Sequence, residues 1–194
     1  MIRERKEKIV NEIIQITEKM SSIVNNGDGW LPAESMNLLK RSRLDWHLSL
    51  TKNLEYWIQN DFQDNEYAKL ILAWTNLGAI VEGSLKLVLS IFEYDYHKDI
   101  DATRKRNGKL IESNNLSLEK LRIFCDGKIW ELDKNRNNWI LKIQQFRNSI
   151  HAYKDRTIGT FEEFFQDLEY YLNLLKSIED RIPYPDEIDK NDFL

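Results

Sequence analysis

The chain has 194 residues, 42% hydrophobic and 31% charged, with a formal net charge of −4 and a pI of about 5.5. That length holds one domain with a real core, and the acidic balance argues against a protein that coats nucleic acid non-specifically, which is normally basic. It leaves room for a site that grips one phosphate locally.

With only 3 Pro and 7 Gly, the chain is expected to form long helices with few tight turns. Residues 2 to about 26 form the first, because Ile9, Ile13, Ile16, Met20 and Ile23 recur at helical spacing. Its start, Met1-Ile2-Arg3-Glu4-Arg5-Lys6, lacks the apolar segment of a secretory signal. Asn25-Asn26-Gly27-Asp28-Gly29 stops it. A second helix is expected from Pro32, suited to a first turn, to about Gln59. It carries Leu38, Leu44, Trp46, Leu48, Leu50, Leu54, Trp57 and Ile58, and the basic cluster Lys40-Arg41-Ser42-Arg43.

The third helix, about Asn65 to Tyr94, has the cleanest pattern. Leu70, Trp74, Leu77, Val81, Leu85, Val88 and Phe92 keep a heptad spacing that suits a bundle seam. Asn76, Glu82 and Lys86 interrupt this most apolar stretch, which argues against a membrane span. Gly78 and Gly83 each cost roughly 1 kcal/mol in a helix interior, so another backbone is expected to come close there. Glu82 needs either a cation or an outlet to solvent, and Arg147 is the candidate partner.

Residues 97–117 are the one poorly patterned region and are expected to form a long loop. Arg104, Lys105, Arg106 and Lys109 crowd it with positive charge around Asn107-Gly108, and loops of this length are usually functional or mobile. Asp95, His97, Asp99 and Asp101 alternate like a calcium loop, but neither its glycine nor its closing glutamate follows. Ser117 can cap a short helix ending at Asp126-Gly127. Cys125 lies in it; a lone Cys excludes an internal disulfide, fits a reducing cytoplasm, and reads as a small buried hydrophobe.

The next helix, about Leu132 to Ala152, carries Trp139, Ile143, Phe146 and Ile150 as one apolar stripe. Arg147 and His151, four apart, are expected on a single face beside it. A guanidinium holds phosphate oxygens in a planar fork, and an imidazole passes protons near neutral pH. Such a pair suits chemistry at a phosphodiester without a metal, although Arg and His also meet at this spacing as plain surface residues. Thr160 and Glu163 form a capping box for a last amphipathic helix through Phe161, Phe164, Leu168, Tyr171, Leu172, Leu175 and Ile178. Pro183 and Pro185 end it, before an acidic tail. The architecture expected is all-α: an antiparallel four-helix-bundle core with extra short helices, as one domain over 1–182 and a tail over 183–194.

Arg147-Asn148 followed by His151-Ala152-Tyr153 resembles the Arg-Asn…His-x-Tyr signature of HEPN domains, small all-helical ribonuclease and toxin modules. Four to six residues usually separate the Arg and the His; here Asn148, Ser149 and Ile150 do. The resemblance covers Arg147 to Tyr153, with a looser likeness over Trp74 to Tyr96. It implies a metal-independent endoribonuclease without cofactor, a toxin or antiphage effector, built as a homodimer with both Arg/His pairs lining one cleft. His151 would move protons at the ribose 2′-hydroxyl, Arg147 would stabilise phosphate charge, and Asn148, Tyr153 and Glu82 would support them. Arg104, Lys105, Arg106 and Lys109 would touch RNA, and an antitoxin or defence-system protein would be a partner. The acidic charge and short motif favour a second class, a non-catalytic helical adaptor or immunity-type module, whereas the Arg147, Asn148, His151 and Tyr153 set favours the first.

Overall fold

The heptad of the third helix becomes the axis of the core. The computed structural model describes residues 2–26, 31–59, 66–131, 133–151 and 157–184, and within them every regular element is a helix. In order these are α1 (Ile2–Asn26), α2 (Ala33–Arg41), α3 (Leu44–Lys52), α4 (Leu54–Gln59), α5 (Tyr67–Ile91), α6 (Glu93–Lys98), α7 (Leu118–Cys125), α8 (Lys134–Arg147) and α9 (Phe161–Glu179). Short 3-10 turns cover Ser113–Asn115 and Asn148–His151. The fold is therefore all-α.

Leu70, Trp74, Leu77, Val81, Leu85 and Val88 are all buried along α5, each worth about 1.5–3 kcal/mol of removed apolar surface. Helices α8, α9, α2 and α3 pack around them, and α1 closes the far side against α9, α3 and α4. Trp74 joins three elements. Its indole N–H donates to the Ile158 carbonyl at 2.8 Å, and its ring meets Phe146 and Phe164 at 4.7 and 5.2 Å, edge-on. Helix α5 is long and apolar enough to cross a membrane by length and composition, but most of it lies inside this core. Between α8 and α9, buried Asp167 meets Lys142 at 2.8 Å; burial raises its carboxyl pKa despite that partner.

Several boundaries differ from expectation. The single helix expected over Pro32 to Gln59 is three. Pro32 sits at the N-cap of α2 rather than inside it. After Arg41 the backbone turns extended at Ser42, whose hydroxyl donates to the Leu38 carbonyl at 3.0 Å. The second break, at Asn53, is held by Asn76 of α5, which accepts from Asn53 Nδ2 and Trp57 Nε1 and donates to the Leu50 carbonyl. The breaks turn Trp46 and Leu50 outward, 60% and 41% exposed, and His47 inward.

Helix α5 gives way at Phe92 to α6, so the loop begins at Asp99 rather than at residue 97. The loop is tied down at its root. Tyr96 Oη donates to the Ile111 carbonyl and accepts from the Thr103 amide, and buried Glu93 accepts from the Ser113 amide. Ser117 precedes α7 without a side-chain cap bond. The Thr160–Glu163 capping box forms as the spacing predicts, and Cys125 is buried, which raises its thiol pKa. The acidic tail beyond Tyr184 and the glycine stop after α1 lie outside the described residues.

Candidate functional site

Arg147 is the last residue of α8, and α8 packs along α5. Its side chain lies across Gly78: a Cβ there would stand 2.7 Å from Arg147 Cβ and Cδ. A side-chain stem, not the backbone expected from sequence, fills this notch. The stem carries the guanidinium to Glu82, one turn along α5, and Arg147 Nη1 donates to Glu82 Oε2. Lys86, one further turn on, donates to Glu82 Oε1 at 2.7 Å. Burial pushes the Glu82 carboxyl pKa up, but the hydrogen bonds from Lys86 and Arg147 outweigh it, and the group stays below the usual carboxylate range. A guanidinium has five N–H donors. The ion pair fixes Arg147 in place while leaving donors for a second acceptor.

The expected single face for Arg147 and His151 does not form. Helix α8 ends at Arg147, and Asn148–His151 continues as a 3-10 turn. In an α-helix, four residues advance about 400°, leaving the two side chains ~40° apart; with 3-10 steps the offset grows to about 100°. His151 therefore stands on the neighbouring face and is exposed. The tighter winding also turns Ile150 out of the stripe, 47% exposed, whereas Trp139 and Ile143 are buried. Asn148 is the C-cap of α8; its amide N–H reaches the carbonyls of Gln144 and Phe146. Tyr153 lies outside the described residues.

The four loop cations stand apart from this site. Arg104, Lys105, Arg106 and Lys109 are exposed on a turn closed by the Arg104–Leu110 bridge and by Lys105 N–H donating to the Lys109 carbonyl at 2.8 Å. The turn follows the end of α5, and Ile91 is nine residues beyond Glu82, about 14 Å of helical rise. In the Lys40–Arg43 cluster, Arg43 pairs with Asp45 and Arg41 approaches Glu112 at 3.7 Å.

One residue with chemistry is not legible in the sequence: the ring of His47 lies over Gly83, where a Cβ would overlap it. His47 Nε2 donates to the Ile80 carbonyl at 3.0 Å, beside a Ser84–Tyr171 hydroxyl pair at 2.9 Å. Burial lowers the imidazole pKa against the opposing pull of that carbonyl, so the ring is neutral and Nδ1 is a bare acceptor. The signal was a second glycine in α5 five residues after the first. Comparison with protein-family models, with curated proteins and with solved structures found no match.

Proposed function

We propose that this chain is a metal-independent endoribonuclease of the HEPN type, a cytoplasmic toxin or antiphage effector acting as a homodimer. The observation that carries the reading is an arginine pinned by a carboxylate from the core helix, with an exposed histidine one turn beyond it. His151 takes the proton of a ribose 2′-hydroxyl, whose oxygen bonds to the adjacent phosphorus as the bond from phosphorus to the 5′-oxygen breaks. Arg147 stabilises the charge gathering on the phosphoryl oxygens. The leaving 5′-oxygen needs a proton of its own, and a second copy of His151 in a two-fold partner supplies it. Trp46 and Leu50, one turn apart on α3 and both exposed, offer apolar surface for such a self-complementary contact. The exposed turn of Arg104, Lys105, Arg106 and Lys109 gives the RNA backbone a remote hold; Asn148 and Tyr153 are supporting groups.

The test is cleavage of mixed cellular RNA by the purified chain. His151→Ala is expected to abolish it without unfolding the protein, since the side chain is exposed. Arg147→Lys should be impaired, because an ammonium loses the planar two-point grip. The reaction should survive EDTA, since side chains carry both roles, and leave 2′,3′-cyclic phosphate ends. An inactive, folded wild-type dimer sinks the proposal.

A second reading is favoured by one observation, that Glu82 already neutralises Arg147. On it the chain is a helical adaptor whose exposed Trp46, Tyr56 and Leu72 meet an antitoxin or defence-system protein. Partner binding unchanged by His151→Ala, with no RNA cut, selects that reading.

A further inference from the structure

Where α2 turns into α3, a cleft of about 270 Å³ opens against α5 and the 3-10 turn at Ser113–Asn115. Its volume is close to the lower bound of about 300 Å³ for small-molecule clefts, which suits one nucleotide rather than a longer ligand. Two cations, Arg43 and Lys86, line it, and no carboxylate does among the described residues. Leu87 and Leu39 give it an apolar wall, and the Ser90 hydroxyl beside them is spent on the Lys86 carbonyl at 2.8 Å. His47 and Asn114 also border it, and His47 Nδ1 and Asn114 Oδ1 are both shielded acceptors with no hydrogen-bond partner among the described residues.

Lys86, which lines the cleft and pairs with Glu82, links it to the Arg147 site along α5. Glu82 receives both Arg147 and Lys86, and Lys86 and Ser90 follow it at successive turns of α5, about 6 and 12 Å of rise away. A strand whose phosphate sits at Arg147 therefore brings a neighbouring nucleotide to the cleft. Arg43 and Lys86 already pair with Asp45 and Glu82, neither of which lines the cleft, so an anion between them would share both cations, while the unpartnered acceptors call for N–H donors. A nucleotide carries both, a phosphate at one end and a base edge at the other.

We infer that this cleft is a nucleotide subsite, holding a phosphate between Arg43 and Lys86 and an amine-bearing base against His47 and Asn114. The inference rests on the ribonuclease reading, whose substrate it would select. Both acceptors are shielded in the free protein, so the base reaches them as Asn114 and the His47 ring shift towards the cleft, and the apolar wall covers the ring face. Adenine, cytosine and guanine bear the exocyclic amine; uracil lacks it.

Calorimetric titration of the full chain with the four nucleoside 5′-monophosphates, their nucleosides and inorganic phosphate tests this. At least one amine-bearing monophosphate is expected to saturate the protein, with its nucleoside, inorganic phosphate and uridine monophosphate each at least tenfold weaker. Arg43→Gln should weaken that binding at least tenfold, Lys86→Gln should do the same, and His151→Ala should leave it unchanged. Absence of saturable binding overturns the subsite, as does wild-type affinity in Arg43→Gln or equal binding of inorganic phosphate or uridine monophosphate. The two proposals separate cleanly: RNA cleavage without nucleotide binding removes the subsite alone, whereas Arg43-dependent binding without cleavage removes the ribonuclease reading alone.

Discussion

Helix α5 carries two glycine notches five residues apart, and they are filled in opposite ways. At Gly78 the occupant is Arg147, a charge at the solvent edge, 33% exposed and paired with Glu82. At Gly83 the occupant is His47, 8% exposed, neutral, and hydrogen-bonded to a backbone carbonyl of α5. The difference follows from solvation. An ionised group keeps contact with water or a counter-ion, because burying it bare costs far more than a hydrogen bond returns. A neutral imidazole needs only a partner for its N–H. The first notch leaves a cation where a ligand can reach it, and the second stitches α3 to the core.

The largest expected effects are at the two notches. Gly83→Ala should lose about 1–3 kcal/mol by overpacking against the His47 ring, which the Ile80 carbonyl holds over the glycine, although alanine alone would favour the helix by roughly 1 kcal/mol. A thermal melt reads this as a drop of about 2–4 °C per kcal/mol for a chain of this size. Gly78→Ala should also lose about 1–3 kcal/mol, because Arg147 Cβ, 2.7 Å from the added methyl, is anchored to α8 and cannot swing away with the rest of the stem. A gain in stability at either glycine would break the comparison.

Next comes the pH dependence of the inner notch. The unfolded histidine takes a proton near its ordinary pKa of about 6.5, and folded His47 resists it because burial lowers its pKa. Its contribution is complete above that unfolded value and is lost as pH falls below it, by at most about 1.4 kcal/mol per pH unit. Denaturant melts across this range should show the slope in the wild type and a shallower one in His47→Gln. Glu82→Gln at the outer notch should cost about 1 kcal/mol, between exposed and buried pairs. The folded carboxyl is held below its usual range, so its contribution is present above the unfolded pKa of about 4.3 and lost as pH falls through the folded one. Acid unfolding of the variant should accordingly be flatter there. The smallest effect is Trp46→Ser, within about 0.5 kcal/mol for an exposed site. Light scattering should nonetheless fall towards the 23.2 kDa monomer if α3 forms the two-fold contact, and a wild type already at that mass would end the dimer proposal.

The two notches also differ in how far they could be read from residues alone. Glu82 stood out because a carboxylate in an apolar heptad demands a cation, and Arg147 was the cation beside another stripe. The long α5, the Thr160 cap and the α9 stripe were legible for the same reason, periodicity over many residues. His47 was not, since nothing local distinguishes a buried neutral histidine from an exposed one. The breaks at Ser42-Arg43 and Asn53 were hidden because they depend on hydrogen bonds, and the second depends on Asn76, twenty-three residues away. The 3-10 winding after Arg147 was equally hidden. It changes a one-face pair into two adjacent faces without any Gly or Pro to announce it.

Glu82 has one more consequence. Since its two oxygens already hold Arg147 and Lys86, an anion arriving at Arg147 joins Glu82 on the remaining guanidinium donors and meets a cation whose charge is already balanced. Such a contact gains little from charge alone, so rising salt alters occupancy less than it would at a naked arginine. Discrimination then depends on how well the newcomer's shape fits the guanidinium plane.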